Sequence, residues 1–326
     1  MNDYSVVAYT SGYYDEWNSF VAQAKNATFL FHRDFIEYHQ DRFEDASKMI
    51  FKGNTLLALF PANKNGDTIY SHQGLTYGGL LLKDQAVFTD VLNVFKELLT
   101  FFNKLGVNDL VLKMLPRIYN KLPSDTLDYF MFILNAQLVR SDTTMVIENS
   151  HKLELTSSNR KRGLKKAKKQ NLVVKEEEDL SAFWNQILVP NLRDRFNVKP
   201  VHTLQEITYL KSKFPKNIRQ FNVYKNDEIV AGTTIFESEM VAHAQYISAN
   251  NQKQELGSLD MIFHHLIEDV FASKKYFDFG ICNENEGKQI NQGLLSWKES
   301  FGARSISQNF YKIETSNYKN LNTILK

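Results

Sequence analysis

Hydrophobic residues in the first half of the chain recur at two spacings, and each spacing predicts one kind of element. A period near 3.6 predicts an amphipathic helix, whereas a short apolar run bounded by turn residues predicts a strand. The pattern predicts helices over 14–25, 87–102 and 127–134 and strands over 49–51, 55–60, 68–71, 109–115 and 143–147. Gly53-Asn54 separates the first two strands. Because both residues tolerate the positive φ of a tight turn, we expect a hairpin there.

The second half repeats this order of elements. After a helical region over 157–213, the pattern predicts a hairpin of 219–224 and 228–236, strands over 240–247, 276–281 and 305–313, and helices over 259–271 and 288–300. The two halves share the order of their elements but no sequence repeat. This order predicts an α/β protein of two tandem α/β sandwich domains. We place the N-terminal domain at 1–149 and the C-terminal domain at 150–326.

Composition and charge narrow the class of protein. The 326 residues suit two domains, and a net charge of +2 does not by itself indicate a nucleic-acid or membrane partner. A single cysteine, Cys282, excludes a disulfide within the chain and a cysteine-based zinc site. The N-terminus has no apolar signal-peptide core, and no apolar run approaches the ~20 residues that span a bilayer. We therefore expect a cytoplasmic protein with no cysteine-based zinc site and no membrane span.

Five stretches of the chain, together with the element order, resemble one family. They read SHQGLTYGGLLL (71–82), NRKRGLKKAKKQNLVV (159–174), KPVHTLQEITYLKSKFP (199–215), DFGICNENEGKQIN (278–291) and LLSWKESFGAR (294–304). These strings are similar to segments of FemAB-like, peptidoglycan bridge-type aminoacyltransferases, a tandem version of the GNAT acyltransferase fold. The resemblance implies two tandem GNAT-like mixed α/β sandwich domains.

The resemblance also implies an activity. The protein would be an acyltransferase that moves an acyl or aminoacyl group from an activated donor to an amine. The donor would be an aminoacyl-tRNA or an acyl thioester, and the acceptor a cell-envelope precursor, an amino sugar or an amino acid. The resemblance implies that neither a cofactor nor a metal is required. Acyl-coenzyme A is one alternative donor substrate, and tRNA is a partner if the donor is aminoacyl-tRNA.

Three residues are catalytic candidates. Lys298 stands shortly before Phe-Gly, at a position matching the family's lysine, where a cation would stabilise the oxyanion of acyl transfer. His202 could take the proton of an acceptor ammonium, because imidazole titrates near neutral pH. Asp278 lies at a strand end and could deprotonate or orient the nucleophile. The structural alternatives are a surface lysine, a histidine beside a helix cap formed by Thr203 and Glu206, and a turn carboxylate.

Further residues are candidates for substrate binding. The helix over 157–170 is strongly basic, and its Arg160, Arg162 and Lys165 could bind the phosphates of tRNA, coenzyme A or a phosphate-linked acceptor. Tyr246 lies where GNAT substrates approach the central sheet. The remaining candidates are Tyr77, Gly78, Gly79 and Asn291. The alternatives are a solvated helix surface, a core tyrosine and a simple turn.

The segment before the clearest helix is a candidate for cofactor binding. GNAT enzymes bind the diphosphate of coenzyme A at this junction, and the residues here are Gln254, Gly257 and Ser258. Backbone N–H groups at a helix N-terminus suit an anion. Asp260 in the first turn opposes this, since its carboxylate satisfies the helix dipole and repels phosphate. The alternative is an ordinary helix with Ser258 as its N-cap.

Two other functions stay open. One is a non-catalytic tandem-GNAT module that uses the basic helix to bind RNA or a nucleotide-linked ligand. The other is an N-acyltransferase that depends on acyl-coenzyme A or an acyl carrier protein and acts on amino sugars or amino acids.

Overall fold

The structure, a computed structural model, describes residues 3–154 and 157–326. The helices are α1 (Tyr14–Gln23), α2 (Arg33–Glu37), α3 (Phe88–Lys104), α4 (Thr126–Ile133), α5 (Ser158–Lys169), α6 (Ser181–Phe183), α7 (Val189–Phe196), α8 (Leu204–Lys213), α9 (Lys253–Leu256), α10 (Ser258–His265) and α11 (Gln292–Glu299). One π-turn, Trp184–Leu188, joins α6 to α7, and another, Leu266–Val270, follows α10.

The strands are mostly short. They are β1 (Tyr4–Ala8), β2 (Glu44–Asp45), β3 (Lys48–Lys52), β4 (Thr55–Phe60), β5 (Asn63–Asn65), β6 (Thr68–Tyr70), β7 (Leu81–Leu82), β8 (Asp109–Lys113), β9 (Gln137–Glu148), β10 (Val173–Glu177), β11 (Ile218–Lys225), β12 (Glu228–Glu237), β13 (Val241–Ala249), β14 (Tyr276–Ile281), β15 (Asn283–Glu284), β16 (Gln289–Ile290) and β17 (Arg304–Glu314). Within the described ranges no helix is both long and apolar enough to cross a membrane.

By their internal contacts the residues form two compact units. Unit 1 comprises the chain up to Asp142 together with Asn285–Lys288 and Ser307–Lys326, and unit 2 comprises Thr143–Glu284 and Gln289–Ile306. The C-terminal residues, which we assigned to the second domain, thus belong to unit 1. The reason is a pairing between distant parts of the chain, since β17 pairs with β8 from Phe310 to Glu314.

Unit 1 contains two sets of paired strands around one long helix. Strands β1, β3, β4 and β7 pair in that order, and β17, β8, β6, β5 and β2 form the other set. Pairing is antiparallel except between β6 and β8, which are parallel and connected through α3. The predicted helical stripe of α3 is confirmed, since Val94, Phe95 and Leu98 are fully buried in the core of this unit.

Unit 2 contains the strand order β10-β11-β12-β13-β14-β9. The hairpin predicted from the strands 219–224 and 228–236 is confirmed, and its turn residues Asn226 and Asp227 have the positive φ that a two-residue turn requires (47° and 64°). Helix α10 packs on β14 through a cluster of aromatic rings. It consists of Phe263, Phe277, Phe279, Trp297 and Phe301, with neighbouring ring centroids 5.1–6.0 Å apart. Such pairs contribute about 0.5–1.5 kcal/mol each beyond their buried area.

Two predictions of local structure were wrong. The region over 157–213 was predicted as helical, but it contains the strand β10, whose charged Val-Val-Lys-Glu-Glu sequence is mostly exposed. This strand forms by pairing with β11, and such a nonlocal contact leaves no period-2 pattern in the sequence. The helix predicted over 288–300 begins only at Gln292, because residues 289–290 form the short strand β16.

Candidate functional site

The parallel strands β13 and β14 are paired along only part of their length. Their register joins Val241 to Tyr276, Ala242 to Phe277 and His243 to Asp278, and the pairing ends there. Both strands continue beyond this point, β13 to Ala249 and β14 to Ile281. The polar pair His243 and Asp278 therefore stands where the parallel pairing stops, and both strands continue from it toward their carboxyl ends. In open α/β sheets this end of the strands is where ligands bind.

A β-bulge follows immediately on β14. Asp278 pairs with Val146 on β9 and Ile281 pairs with Thr144, so β14 has one more residue than β9 over this step. Gly280 within the bulge has φ +77°, a conformation that favours glycine. A Cβ at this position would lie 3.4 Å from Cε1 of His243. Bulges are enriched next to active sites because they redirect groups out of the regular ladder.

The Asp278 carboxylate is the centre of a buried hydrogen-bond network. Its Oδ2 lies 2.8 Å from Nδ1 of His243, and its Oδ1 accepts from the Thr144 hydroxyl and, at 2.8 Å, from the backbone N–H of Gly280. Burial alone would raise the pKa of this carboxyl, but the His243 ring and the hydrogen bonds from Thr144 and Gly280 outweigh burial and hold the pKa below its usual value. Asp278 is therefore a carboxylate that fixes the orientation of His243. Because Nδ1 faces the carboxylate, Nε2 is the nitrogen that can accept a proton.

Lys298 lies beside this network but is buried rather than on the surface. Its side chain, on α11, is 2% exposed, and Nζ donates to the carbonyls of Gly280 (2.9 Å) and Ile281 (2.8 Å). Burial lowers the pKa of this ammonium, against the opposing effect of the neighbouring Cys282 and Asp278. Lys298 therefore stabilises the backbone of the bulge by hydrogen bonds to two of its carbonyl groups. A direct catalytic role for Lys298 stays a prediction.

His202, which precedes α8, lies against Tyr246 on another part of β13. The Tyr246 hydroxyl is 2.6 Å from Nδ1 of His202 and accepts a hydrogen bond from its backbone N–H at 3.1 Å. Both side chains are buried, and the ring of Tyr246 packs edge-on against Trp184. The predicted capping box of Thr203 and Glu206 follows at the start of α8 and is confirmed. The capping alternative for His202 assumed an exposed ring, whereas this ring is buried.

The N-terminus of α10, the candidate diphosphate site, is covered by α5. A Cβ on Gly257 would lie 2.1 Å from the carbonyl oxygen of Gly163, and a Cβ on Gly163 would lie 1.9 Å from Oδ2 of Asp260. Arg160 forms an ion pair with Asp260, and both side chains are largely buried. Burial raises the pKa of Asp260 to about 6 although the guanidinium opposes this. Gly257 therefore allows close approach to the backbone of α5, and Gly163 leaves room for the Asp260 side chain.

The other candidate residues for cofactor binding lie near the contact between α5 and the N-terminus of α10. Gln254 is exposed, and its carbonyl accepts from Nζ of Lys166 at 3.2 Å. Ser258 is fully buried, and its hydroxyl has no hydrogen-bond partner among the described residues. The basic side chains of α5 divide into two sets. Arg160 faces Asp260, whereas Arg162 and Lys165 are exposed to solvent.

Asn291 and the glycine-containing loop have other surroundings. Asn291 caps α11, since its Oδ1 accepts from the N–H of Leu294 at 2.9 Å, and its amide donates to Glu284 at 2.8 Å.

Tyr77, Gly78 and Gly79 belong to unit 1. Tyr77 is 3% exposed, and its hydroxyl lies 2.9 Å from that of Thr28. Gly78 approaches the Ser71 backbone, and Gly79 has φ +113°.

Sequence reasoning therefore found part of the network on β14 and missed the rest. Asp278 and Lys298 were among the candidates, and both surround the bulge at Gly280. His243 and Thr144 were not, because their role depends on the register of β13 and β9 with β14, which is a nonlocal property. No group of three or more His, Cys, Asp or Glu side chains in the described ranges has the arrangement of a metal site.

Solved structures with this architecture span nearly the whole chain. FemX superimposes over 97% of this chain and 99% of its own, with a TM-score of 0.68 and 10% identity. L-PGS from Bacillus licheniformis matches over 91% of this chain and 90% of its own (TM-score 0.61, 13% identity). A tandem GNAT protein from the clavulanic acid biosynthesis pathway matches over 96% of this chain and 98% of its own (TM-score 0.51, 11% identity).

These likenesses define a fold. No protein-family model matches the sequence, and no curated protein does. The predicted class, a mixed α/β fold of the tandem GNAT type, is confirmed, and so is the resemblance to FemAB-like proteins at the level of the fold. At identities of 10–13% the comparisons do not carry an activity to this chain.

Proposed function

We propose that the protein is an acyltransferase that moves an aminoacyl or acyl group from an activated donor to an amine. The observation that carries the proposal is the His243–Asp278 pair at the point where β13 and β14 cease to be paired. The fold supports it, because FemX and the tandem GNAT protein of the clavulanic acid pathway have the same architecture. The acceptor would be a cell-envelope precursor, an amino sugar or an amino acid. A cytoplasmic location stays a prediction from the sequence.

In the proposed reaction the neutral amine of the acceptor attacks the carbonyl carbon of the donor. A C–N bond forms, and the C–O bond of an ester or the C–S bond of a thioester breaks. Nε2 of His243 takes the proton that the amine loses, and the imidazolium then gives this proton to the leaving oxygen or sulfur. Asp278 keeps the Nδ1–H of His243 directed at itself and stabilises the imidazolium. Binding both substrates together supplies a further part of the acceleration.

We infer that the donor is an aminoacyl-tRNA rather than a coenzyme A thioester. Helix α5 covers the N-terminus of α10 through Gly163, and Asp260 presents a carboxylate where a diphosphate would lie. At the same time α5 exposes Arg162 and Lys165 to solvent, as a phosphate backbone requires. A thioester carried by a protein remains the alternative donor. It would need no diphosphate pocket on α10.

The test of the reaction is His243→Gln, with transfer from a mixture of charged tRNAs to a panel of amino sugars and amino acids as the assay. General base catalysis contributes about 10²–10⁴-fold, so turnover should fall at least 100-fold. His265→Gln is the matched control, since His265 also pairs through Nδ1 with a carboxylate (Asp269, 2.8 Å) but at an exposed position on α10. Equal turnover of the two variants would contradict the role of His243.

The second candidate function is a non-catalytic module that binds RNA. The exposed basic side chains of α5 favour it. Lys165→Glu should weaken binding of tRNA and reduce its salt dependence under either function, because one phosphate contact is lost. The two functions differ in what is bound. Equal affinity for charged and uncharged tRNA, with no transfer to any amine, would favour the binding module.

A further inference from the structure

Unit 1 contains a cavity that the proposed transferase chemistry does not use. Its volume is about 300 Å³, at the lower end of the range for small-molecule sites. The walls come from the loop after β1, from α2 and the loop after it, from β2 and from the loop after β6. The lining residues are Tyr9, Thr10, Ser11, Arg33, Ile36, Glu37, Gln40, Phe43, Asp45 and His72.

The charge in this cavity is set around a buried arginine. Arg33 is 2% exposed, and its guanidinium donates to Glu37 through Nε (2.8 Å) and to Asp45 through Nη2 (2.5 Å). The guanidinium carbon also lies 3.7 Å from the centroid of the Tyr9 ring and 5.1 Å from that of Trp17. Arg33 is thus held on all sides by the protein, and its positive charge is already matched.

The two carboxylates leave the wall with an excess of negative charge. Glu37 and Asp45 carry two negative charges against the single positive charge of Arg33. Their side chains are 35% and 37% exposed, in contrast to the buried guanidinium. The Arg33 guanidinium and hydrogen bonds from Ser47 hold the pKa of Asp45 below its usual value against the effect of burial, so this carboxyl is ionised. The other lining side chains carry no charge at neutral pH.

A buried polar group in the wall lacks a partner. His72 is 2% exposed, and its Nδ1 has no hydrogen-bond partner in the described part of the chain. Burial, with the nearby His39, Arg33 and Lys113 and against Asp45, lowers the pKa of His72 to about 3, so the ring is neutral and its nitrogen can accept a hydrogen bond. Its backbone has φ +66°, a strained conformation of the kind that clusters at ligand sites.

The loop around His72 is built to keep the ring in place. A Cβ on Gly74 would lie 2.0 Å from Nε2 of His39, so this glycine allows the loop to press against the neighbouring aromatic side chains. Lys113 donates from Nζ to the carbonyl of Leu75 in the same loop. This supports the position of His72 without supplying its Nδ1 with a partner.

We propose that this cavity of unit 1 binds the primary ammonium group of a small polar molecule. Glu37 and Asp45 would balance the charge of the ammonium, and Nδ1 of His72 would accept one of its hydrogens. The Tyr9 and Phe43 rings and the hydroxyls of Thr10 and Ser11 would contact the remainder of the ligand. The proposal concerns binding alone and stands whether or not unit 2 catalyses acyl transfer.

The test is calorimetric titration of the full-length protein with matched pairs of compounds. Glucosamine and 1,4-diaminobutane carry the ammonium group, whereas glucose and 1,4-butanediol do not. We expect at least one member of the charged set to bind and its uncharged counterpart to bind about tenfold more weakly or not at all, because a hydrogen bond to a charged group contributes roughly 1.5–3 kcal/mol. Equal binding within each pair, or binding of neither charged compound, would overturn the proposal.

Substitutions of residues that line the cavity test whether the compound binds there. His72→Asn retains a residue that tolerates positive φ but shortens the side chain, and Glu37→Gln removes one negative charge. Each should weaken binding of the ammonium compound about tenfold, while Glu44→Gln, an exposed carboxylate on β2 outside the cavity, should leave it unchanged. Thermal unfolding of each variant shows that the chain is folded. Unchanged affinity in both cavity variants would place the compound elsewhere and overturn the assignment.

Discussion

Each unit contains a parallel pair of strands, and the two pairs end differently. In unit 1 the pairing of β6 with β8 ends at Tyr70 and Val111, and the chain itself continues the contact. The backbone N–H of Ser71 donates to Val111 (2.9 Å), and that of Gly78 donates to the carbonyl of Lys113 (3.2 Å). In unit 2 the pairing of β13 with β14 ends at His243 and Asp278, whose side chains are hydrogen-bonded to each other, and both strands continue beyond this point.

The parallel strand pairs of the two units therefore differ in what lies where the pairing ends. In unit 1 a loop bonds to the backbone carbonyls of β8 beyond the paired strands and so stabilises the strand ends. In unit 2 a bulge turns the backbone of β14 aside, and an imidazole and a carboxylate remain at the same place. The parallel pair is therefore continued by backbone hydrogen bonds from a loop in unit 1 and ends at a hydrogen-bonded pair of polar side chains in unit 2. The following variants test this, from the largest expected effect to the smallest.

Gly78→Ala should disrupt the loop that continues the contact between β6 and β8 in unit 1. The added Cβ would lie 1.9 Å from the carbonyl oxygen of Ser71, a backbone atom that cannot move without disturbing its pairing with β8. We expect a loss of about 3 kcal/mol in the free energy of unfolding, measured by urea denaturation. Gly12→Ala is the control, because its nearest contact would be 3.7 Å from a Thr10 hydroxyl. A stable Gly78→Ala protein would show that the loop does not hold the strand end.

Lys298→Met should weaken the bulge of unit 2. The carbonyls of Gly280 and Ile281 would lose a charged donor, and buried acceptors without partners cost about 1–3 kcal/mol. Thermal or urea unfolding measures the loss, with the exposed Lys216→Met as control. If stability were unchanged while turnover collapsed, Lys298 would act on the reacting atoms, as the sequence resemblance implies. A parallel loss of both would assign it to positioning.

The stability of unit 1 should fall with acid because of His72. Its pKa is about 3 when folded and 6.5 when unfolded, so between these values the unfolded chain binds a proton that the folded chain does not. Below pH 6.5 the free energy of unfolding should therefore decrease by roughly 1.4 kcal/mol per pH unit from this group. His72→Asn should remove that slope in denaturation curves between pH 5 and 6.5. A slope that persists in the variant would mean that other groups cause it.

Local pattern predicted most of the fold. The stripe of α3, the hairpin at Asn226-Asp227 and the capping box before α8 depend on residues within one turn of each other, and the sequence carries that information directly. The local sequence does not carry this information for strand β10, because that strand forms only by pairing with β11. A single sequence therefore predicts the elements better than it predicts which of them pair.

The candidate site was predicted less completely for the same reason. Asp278 could be singled out as a carboxylate at a strand end, but its partner His243 follows only from the register of two strands 35 residues apart. Arg160 was predicted to bind phosphate from the run of basic residues in α5. The structure gives it a buried carboxylate instead, since one face of that helix packs on α10 and only the other faces solvent.

The contact between Gly163 and Gly257 has a consequence for the electrostatics of α10. A helix beginning at a buried position needs an anion near its first amides, and here Asp260 provides it from within the first turn, with Arg160 to compensate. Helix α5 lies against this end of α10 through Gly163. The first turn of α10 thus obtains its compensating negative charge from its own side chain.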